Sequence, residues 1–191
     1  MEQIQAVDAD TLAWFANHRS TAGNEMMKFC SLIGDKETAT AVAFVFVLTL
    51  YFLAGTRTAL VMLVASVLAL GLGQSAKYLI QRERPDVSWR LIPRPHTSSF
   101  PSGHSLNSMS IYGTFALLTA RHLRRRTLAM LVLLIGFALP LIIGTSRPYL
   151  GVHWPSDVLA GWTAGLTCAL LAFWADRRWG NRLAVAPPSE D

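Results

Sequence analysis

The chain has 191 residues, of which 52% are hydrophobic and only 15% are charged. Soluble domains carry roughly 25% charged residues, so too few charges remain here to cover a globular surface in water. This balance excludes a disordered chain and disfavours a soluble enzyme. The net charge is +5, but the arginines lie between apolar runs, so no nucleic-acid partner is expected. Two cysteines are too few for a disulfide framework. The composition indicates a membrane protein.

The first 37 residues mix apolar and charged side chains. Residues such as Phe15, Met26 and Phe29 recur at helical spacing and are interrupted by charges such as Glu25 and Lys28. This pattern predicts one amphipathic helix, or two helices split near Gly23, lying in the membrane interface over residues 1–37. A weak additional membrane span is the alternative.

Five stretches without a charged residue follow, at 38–56, 58–76, 105–120, 127–146 and 158–175. A membrane helix needs about 20 apolar residues, and runs of this length are too long for barrel strands. We therefore predict an all-α integral membrane helical bundle of five spans, six with the N-terminal alternative, over residues 38–180. The tail at 181–191 is expected to be disordered. Gly161 and Gly165 predict close helix packing within the bundle.

Loop charges predict the orientation. Five spans place the N-terminus and the loops 82–104 and 147–155 on one side, and Arg57, the basic run 121–126 and the tail on the other. The loops and termini named here carry eight Lys or Arg on each side, but on the second side these cations crowd into two short loops and a short tail. Because cytoplasmic loops are rich in Lys and Arg, that side and the C-terminus are expected to be cytoplasmic. The other loops then face the periplasm or the outside of an inner or plasma membrane.

Two cations and a helix start lie in the outward-facing region. Lys77 and Arg84 are seven residues apart, so a continuing helix would stack both cations on one face, with Pro85 ending or redirecting that helix. Ser102 is expected near the N-cap of the next helix, where free backbone N–H groups and Gly103 make an anion cradle. His104 adds a proton donor there. Snorkelling of the lysine and ordinary helix capping are the alternatives.

A third cluster lies at the start of the last span. His153 and Asp157 are four residues apart, so the carboxylate can orient the imidazole on a helix and leave one ring nitrogen free as a base or nucleophile. Arg147 offers a planar guanidinium to phosphate oxygens. No metal-ligand spacing is present, so no metal or other cofactor is expected. Together the clusters predict metal-free phosphoryl transfer through a histidine nucleophile.

These residues resemble the signature of the type 2 phosphatidic acid phosphatase family. The sequence carries KxxxxxxRP from Lys77 to Pro85, PSGH from Pro101 to His104, and SRxxxxxHxxxD from Ser146 to Asp157, with no departure at a motif position. The resemblance implies a helical bundle with its site near the outer membrane surface. It also implies a metal-independent lipid phosphatase, whose partners are a membrane lipid phosphate and the bilayer.

The resemblance implies a role for each motif residue. His153 would attack phosphorus and form a phosphohistidine, and Asp157 would orient it. His104 would protonate the leaving oxygen and later activate water. The phosphate oxygens would be held by Lys77, Arg84, Ser102, Gly103 and Arg147.

Four lipids of this family are candidate substrates: undecaprenyl diphosphate, phosphatidylglycerophosphate, phosphatidate and lipid A 1-phosphate. The small size of the chain and the lack of an added soluble domain favour undecaprenyl diphosphate. A lipid phosphotransferase is an alternative, in which a hydroxyl replaces water on the phosphohistidine. A non-enzymatic membrane scaffold is a further alternative, against which the intact set of His104, His153 and Asp157 argues.

Overall fold

The computed structural model describes residues 2–93 and 95–183, and within these ranges the chain is helical, without strands. The helices are α1 (Glu2–Asn17), α2 (Thr21–Ile33), α3 (Lys36–Ala54), α4 (Thr56–Ile80), α5 (Gly103–His122), α6 (Arg126–Tyr149) and α7 (Pro155–Leu183). A short 3-10 helix, Val87–Trp89, lies in the long loop between α4 and α5. The predicted all-α membrane bundle is confirmed. Of the tail expected to be disordered, residues 184–191 lie outside the described residues.

Four of the five predicted spans are helices with the length and composition needed to cross a membrane. These are α3, α4, α6 and the first part of α7, Pro155–Arg178. Their outer surfaces carry large exposed apolar side chains, among them Phe52, Leu68, Leu134 and Leu171. Such a surface is unfavourable in water and suits contact with lipid.

The fifth predicted span, α5, is long enough to cross but is not among those four. It lies in the centre of the bundle, packed against α3, α4, α6 and α7. Its buried side chains include Ser105, Ser108, Ser110 and Thr114. Because protein rather than lipid surrounds α5, it does not need a continuous apolar surface, which explains its more polar sequence.

Two glycines of α7 allow it to approach α5 closely, as the sequence predicts. A Cβ at Gly161 would lie 2.8 Å from the Ser102 carbonyl oxygen, and one at Gly165 would lie 2.5 Å from the Leu106 carbonyl oxygen. At the end of this contact the Ser102 backbone N–H donates to the Asp157 carbonyl oxygen at 3.1 Å. The close packing therefore fixes the starts of α5 and α7 against each other.

The N-terminal segment forms two helices that pack against α6, and α1 also contacts α7. The break falls at residues 18–20, close to the predicted split near Gly23, because Ser20 caps α2 by accepting a hydrogen bond from the Gly23 N–H at 3.1 Å. Gly23 has a packing role instead, since a Cβ there would lie 2.6 Å from the Tyr149 hydroxyl oxygen. With 16 and 13 residues, α1 and α2 are shorter than a membrane span.

At the opposite end of the bundle, a buried carboxylate joins three helices. Asp176 of α7 is 1% exposed. It accepts hydrogen bonds from Arg57 at 3.3 Å and from the Thr58 hydroxyl at 3.0 Å, and Arg121 also donates to it. These contacts tie α7 to the start of α4 and the end of α5.

Candidate active site

Lys77 and Arg84 meet at the end of α4, but not by the predicted helical stacking. α4 ends at Ile80, and Gln81 has a left-handed backbone with φ of 47°. The helix therefore does not continue to Arg84, and that expectation is wrong. The two cations converge on one acceptor instead, because the Ser98 carbonyl oxygen lies 2.7 Å from Lys77 Nζ and 3.2 Å from Arg84 Nη2.

The start of α5 lies directly beside these cations. Ser102 is fully buried and is the N-cap residue, and its hydroxyl accepts from the Ser105 N–H at 3.4 Å, which confirms the predicted cap. Gly103 opens the helix, and a Cβ at this position would lie 3.9 Å from Lys77 Cε. A helix N-terminus next to a lysine is a favourable place for an anion.

His104, in the first turn of α5, faces the N-terminal segment. Its Nε2 lies 2.9 Å from Asp35 Oδ1. The hydrogen bond with His104 lowers the pKa of the Asp35 carboxyl, and burial opposes this shift. Gly34 makes room for the ring, because a Cβ there would lie 2.8 Å from His104 Cδ2.

Arg147, in the last turn of α6, is almost completely buried at 3% exposure. Its Nη1 donates to the Ser31 hydroxyl of α2. Its Nε is buried without a hydrogen-bond partner among the described residues. A buried N–H without a partner is costly, so this nitrogen is suited to a ligand oxygen.

His153 lies in the turn before α7 and is 2% exposed. Its Nε2 is 3.0 Å from Arg84 Nη1, and its Nδ1 is 3.4 Å from Asp157 Oδ2. A guanidinium has only donors, so Nε2 must accept with its lone pair and the ring proton lies on Nδ1, facing the carboxylate. The predicted pairing with Asp157 is present, although α7 begins only at Pro155, so His153 precedes the helix.

Asp157 is fully buried and accepts from several donors. Arg82 Nη1 lies 2.6 Å from its Oδ1, and the Trp154 backbone N–H lies 3.0 Å from its Oδ2. The Ser99 hydroxyl also donates to Oδ2. These donors hold the carboxylate in one orientation beside His153.

The electrostatic surroundings keep the His153 ring neutral. Burial lowers its pKa well below the usual value, and the cations Arg84, Arg147 and Lys77 lower it further. A neutral imidazole with an unprotonated Nε2 is the form required of a nucleophile. All eight predicted site residues thus lie at one end of the bundle, around an imidazole surrounded by cations.

Five polar residues of the site were not identified from the sequence: Asp8, Ser31, Asp35, Arg82 and Ser99. The first three belong to the N-terminal segment, where isolated polar residues carry no signal of a distant contact. Arg82 precedes the motif arginine, Arg84, by two residues. An additional arginine this close to the motif was the one sequence signal that could have identified any of the five. A cavity of about 410 Å³ adjoins it, lined by Gln5, Arg82, Glu83 and Trp154.

The PAP2 superfamily matches residues 58–180, which include all the motif residues. The chain belongs to this superfamily. Its PAP2 relatives include undecaprenyl-diphosphatase of Sulfolobus acidocaldarius, 30% identical over 153 residues that make up 78% of this chain and 68% of that protein. Phosphatidylglycerophosphatase B of Bacillus subtilis is 32% identical over 146 residues, 75% of this chain and 70% of that protein.

A solved PAP2 structure has the same fold. The crystal structure of a transmembrane PAP2 type phosphatidylglycerolphosphate phosphatase from Bacillus subtilis superposes with a TM-score of 0.86 at 27% identity, covering 93% of this chain and 88% of that one. The family, the relatives and the membrane helices identify this PAP2 protein as an integral membrane lipid phosphatase.

Proposed function

We propose that this PAP2 protein hydrolyses undecaprenyl diphosphate to undecaprenyl phosphate and phosphate through a phosphohistidine intermediate. The observation that supports the mechanism best is the His153 ring, neutral and buried, with its Nε2 lone pair directed toward Arg84. Lys77 and Arg147 are close enough to act on the same ring electrostatically. A terminal phosphate bound by these cations would lie next to the nucleophile.

The first step joins His153 Nε2 to the terminal phosphorus and breaks the bond from that phosphorus to the bridging oxygen. The electron pair of the broken bond goes to the lipid phosphate that leaves. Lys77, Arg84 and Arg147 stabilise the charge on the transferring oxygens, together with the N–H groups that begin α5. Asp157 stabilises the positive charge that develops on the His153 ring.

His104 serves both steps as the proton carrier. Its Nε2 lies against Asp35, and this carboxylate stabilises the protonated ring that donates to the leaving oxygen. In the second step the neutral ring takes a proton from water. The oxygen of that water attacks phosphorus, the bond from phosphorus to His153 Nε2 breaks, and inorganic phosphate leaves.

The relatives that match more than half of this chain support two lipid substrates. The Sulfolobus acidocaldarius relative is named an undecaprenyl-diphosphatase, and so, as a putative one, is an Escherichia coli protein 31% identical over 109 residues. Phosphatidylglycerophosphate is the second candidate, favoured by the Bacillus subtilis structure that superposes at a TM-score of 0.86. Both lipids present a phosphate group that the same cations can bind.

We also propose that the site faces the periplasm or the cell exterior and that the C-terminus is cytoplasmic. The density of arginines near residues 121–126 supports this orientation. In a variant without Cys30 and Cys168, a cysteine introduced at His96 should react with a membrane-impermeant maleimide in intact cells. One introduced at Arg125 should react only after lysis. The reverse pattern would contradict the orientation.

Phosphate release by the purified protein in detergent with EDTA tests the function. Undecaprenyl diphosphate, phosphatidylglycerophosphate, phosphatidate and lipid A are compared side by side, with His153→Ala as the control. We expect the highest kcat/KM for undecaprenyl diphosphate, no effect of EDTA, and no release by His153→Ala.

Any other result of this experiment would contradict or change a specific part of the proposed function. A higher kcat/KM for phosphatidylglycerophosphate would replace the first substrate with the second candidate. Loss of activity in EDTA would contradict the metal-free mechanism. Full activity of His153→Ala would contradict the phosphohistidine. A phosphorylated acceptor in place of free phosphate would identify a phosphotransferase.

A further inference from the structure

An acidic residue of the N-terminal helix is built into the catalytic end of the bundle. Asp8 of α1 is 2% exposed. Its Oδ1 accepts from the Ser156 backbone N–H at 2.9 Å, and its Oδ2 accepts from Arg82 Nη2 at 2.7 Å and from the Ser156 hydroxyl. An acidic side chain is rarely buried to this degree unless its charge is paired. Asp8 is paired, and its partner is Arg82.

Arg82 continues the contact to the catalytic carboxylate. While its Nη2 binds Asp8, its Nη1 donates to Asp157 Oδ1 at 2.6 Å and to the Ser156 hydroxyl at 2.7 Å. The guanidinium also lies over the Trp154 ring at 5.6 Å. Charges of alternating sign therefore run from α1 to the residue that faces His153.

We propose that Asp8 and Arg82 are positioning residues that set how much negative charge Asp157 presents to His153. The proposal rests on the proposed function of His153 as the nucleophile. Arg82 neutralises part of the Asp157 charge, and Asp8 in turn neutralises part of the Arg82 charge. The N-terminal segment thereby acts on the reaction without touching the substrate.

The charged and titratable groups around His153 come from every element packed against it: Lys77 on α4, Arg84 in the following loop, His104 on α5, Arg147 on α6 and Asp157 on α7. Asp157 is the carboxylate of this set, so its effective charge has a large influence on the protonated ring. Without the Arg82 charge, Asp157 stabilises the imidazolium more strongly, and the pKa of His153 rises. Without the Asp8 charge, Arg82 offsets Asp157 more fully, and the pKa of His153 falls further.

These opposite signs give the test. A protonated ring cannot attack phosphorus, so kcat/KM falls on the acid side as His153 becomes protonated. Arg82→Gln keeps N–H donors but removes the charge. The acid limb is the fall of kcat/KM at low pH, and in this variant its midpoint should rise by about one pH unit, which corresponds to about 1.4 kcal/mol. Asp8→Asn should move the limb downward or leave it below the accessible range, with a lower kcat at pH 7. Asp8→Asn combined with Arg82→Gln should resemble Arg82→Gln alone, because Asp8 acts on Asp157 through the Arg82 charge.

Matched variants separate positioning from folding. Arg82→Lys keeps the charge and should leave the acid limb at its wild-type pH. Asp10→Asn makes the same change on an exposed residue of α1 and should alter neither the limb nor kcat. The profiles are measured with the purified protein in detergent from pH 4.5 to 8, on the lipid that the wild type hydrolyses fastest, with Tm measured for each variant.

The outcomes distinguish the two proposals. If the wild type hydrolyses no lipid phosphate, the proposed function fails. If the wild type is active, His153→Ala is inactive and the limb of Arg82→Gln stays at the wild-type pH, the positioning proposal alone is overturned. Limb shifts of the same sign in Arg82→Gln and Asp8→Asn would also overturn it. If Arg82→Gln fails to fold, the limb of Asp8→Asn decides, and an upward shift would refute the proposal.

Discussion

The two ends of the bundle each bury an aspartate of α7, and the surroundings of the two aspartates differ. Asp176 is bound by Arg57, Thr58 and Arg121, which all donate to it. Asp157 is bound by several donors as well, but one of its oxygens also faces the imidazole of His153 at 3.4 Å. The first carboxylate connects helices, and the second also faces the proposed nucleophile.

Arg82 at the His153 end binds Asp157 and Asp8 directly, but two other arginines at that end differ in exposure and in their partners from the arginines that bind Asp176. At the Asp176 end the side chains of Arg57 and Arg121 are 32% and 30% exposed and bind the carboxylate directly. At the catalytic end Arg84 and Arg147 are 7% and 3% exposed, and they donate to neutral groups such as the Val152 carbonyl oxygen and the Ser31 hydroxyl. The buried Nε of Arg147 has no hydrogen-bond partner among the described residues, so this guanidinium is suited to a phosphate oxygen.

Equivalent substitutions of the two aspartates should have different effects on activity, and this is the largest effect that we expect. Among the described residues every partner of either carboxylate is a donor, so the NH₂ group of an asparagine would face a donor with which it cannot form a hydrogen bond. Asp157→Asn should reduce kcat by about 10³- to 10⁴-fold, as in other enzymes that orient a histidine with a carboxylate. Asp176→Asn should keep the kcat of the folded protein.

Stability measurements complete this comparison. Breaking a buried ion pair by removing one partner costs roughly 3 kcal/mol, so Asp176→Asn should lower Tm by several degrees. The check is kcat per folded molecule together with thermal unfolding in the same detergent. Equal losses of kcat in both variants would show that the two carboxylates do not differ in function.

Matched substitutions of one arginine at each end should show the same contrast as the two aspartates, with a smaller loss of activity. Arg84→Met removes a donor and a charge beside His153 Nε2, and we expect kcat/KM to fall by about 100- to 1000-fold. Arg57→Met, the matched change at the other end, should lower Tm and leave kcat/KM within about threefold, because Arg57 does not contact the site. A large loss of kcat/KM in Arg57→Met would refute the division between the ends.

The features of the fold that could be predicted from the sequence are those that local patterns determine. Charge-free runs located the spans, because lipid tolerates few charges. Ser102 was predicted near the N-cap of α5 because serine is a favoured N-cap residue and Pro101 and Gly103 allow a tight entry into the helix. The central position of α5 could not be predicted, since its polar face is explained only by the helices that surround it. The end of α4 was also missed, because Gln81 adopts a left-handed backbone without being glycine.

The candidate catalytic residues were predicted because their spacing matches a family signature, and the residues that bind them were missed because no spacing marks them. Asp8 and Asp35 lie about 150 and 70 residues from the groups they bind, Ser156 and His104. Such contacts depend on how the N-terminal helices pack against the bundle. Amphipathic spacing predicted those helices, but not that Asp8 of α1 and Asp35, which lies between α2 and α3, would lie at the site.

The contact between α5 and α7 gives the smallest of the three effects. A Cβ at Gly161 would lie 2.8 Å from both the Ser102 carbonyl oxygen and Ser105 Cβ, whereas one at Gly71 would meet nothing within 4 Å. Gly161→Ala must push the two helix starts apart and lengthen the 3.1 Å hydrogen bond from Ser102 N to Asp157 O. Displacing the two helix starts in this way should lower kcat by about 10- to 100-fold, because groups near the reacting atoms are moved.

Gly71→Ala is the matched control for this packing effect, because it adds the same methyl group to a membrane helix without a neighbour. Its kcat should equal that of the wild type, and its Tm should be unchanged or higher, since alanine favours a helix over glycine. Equal kcat values for the two alanine variants would mean that the distance between α5 and α7 does not control the reaction. A loss confined to Gly161→Ala would show that helix packing, and not only the charged side chains, keeps Ser102 beside Asp157 during catalysis.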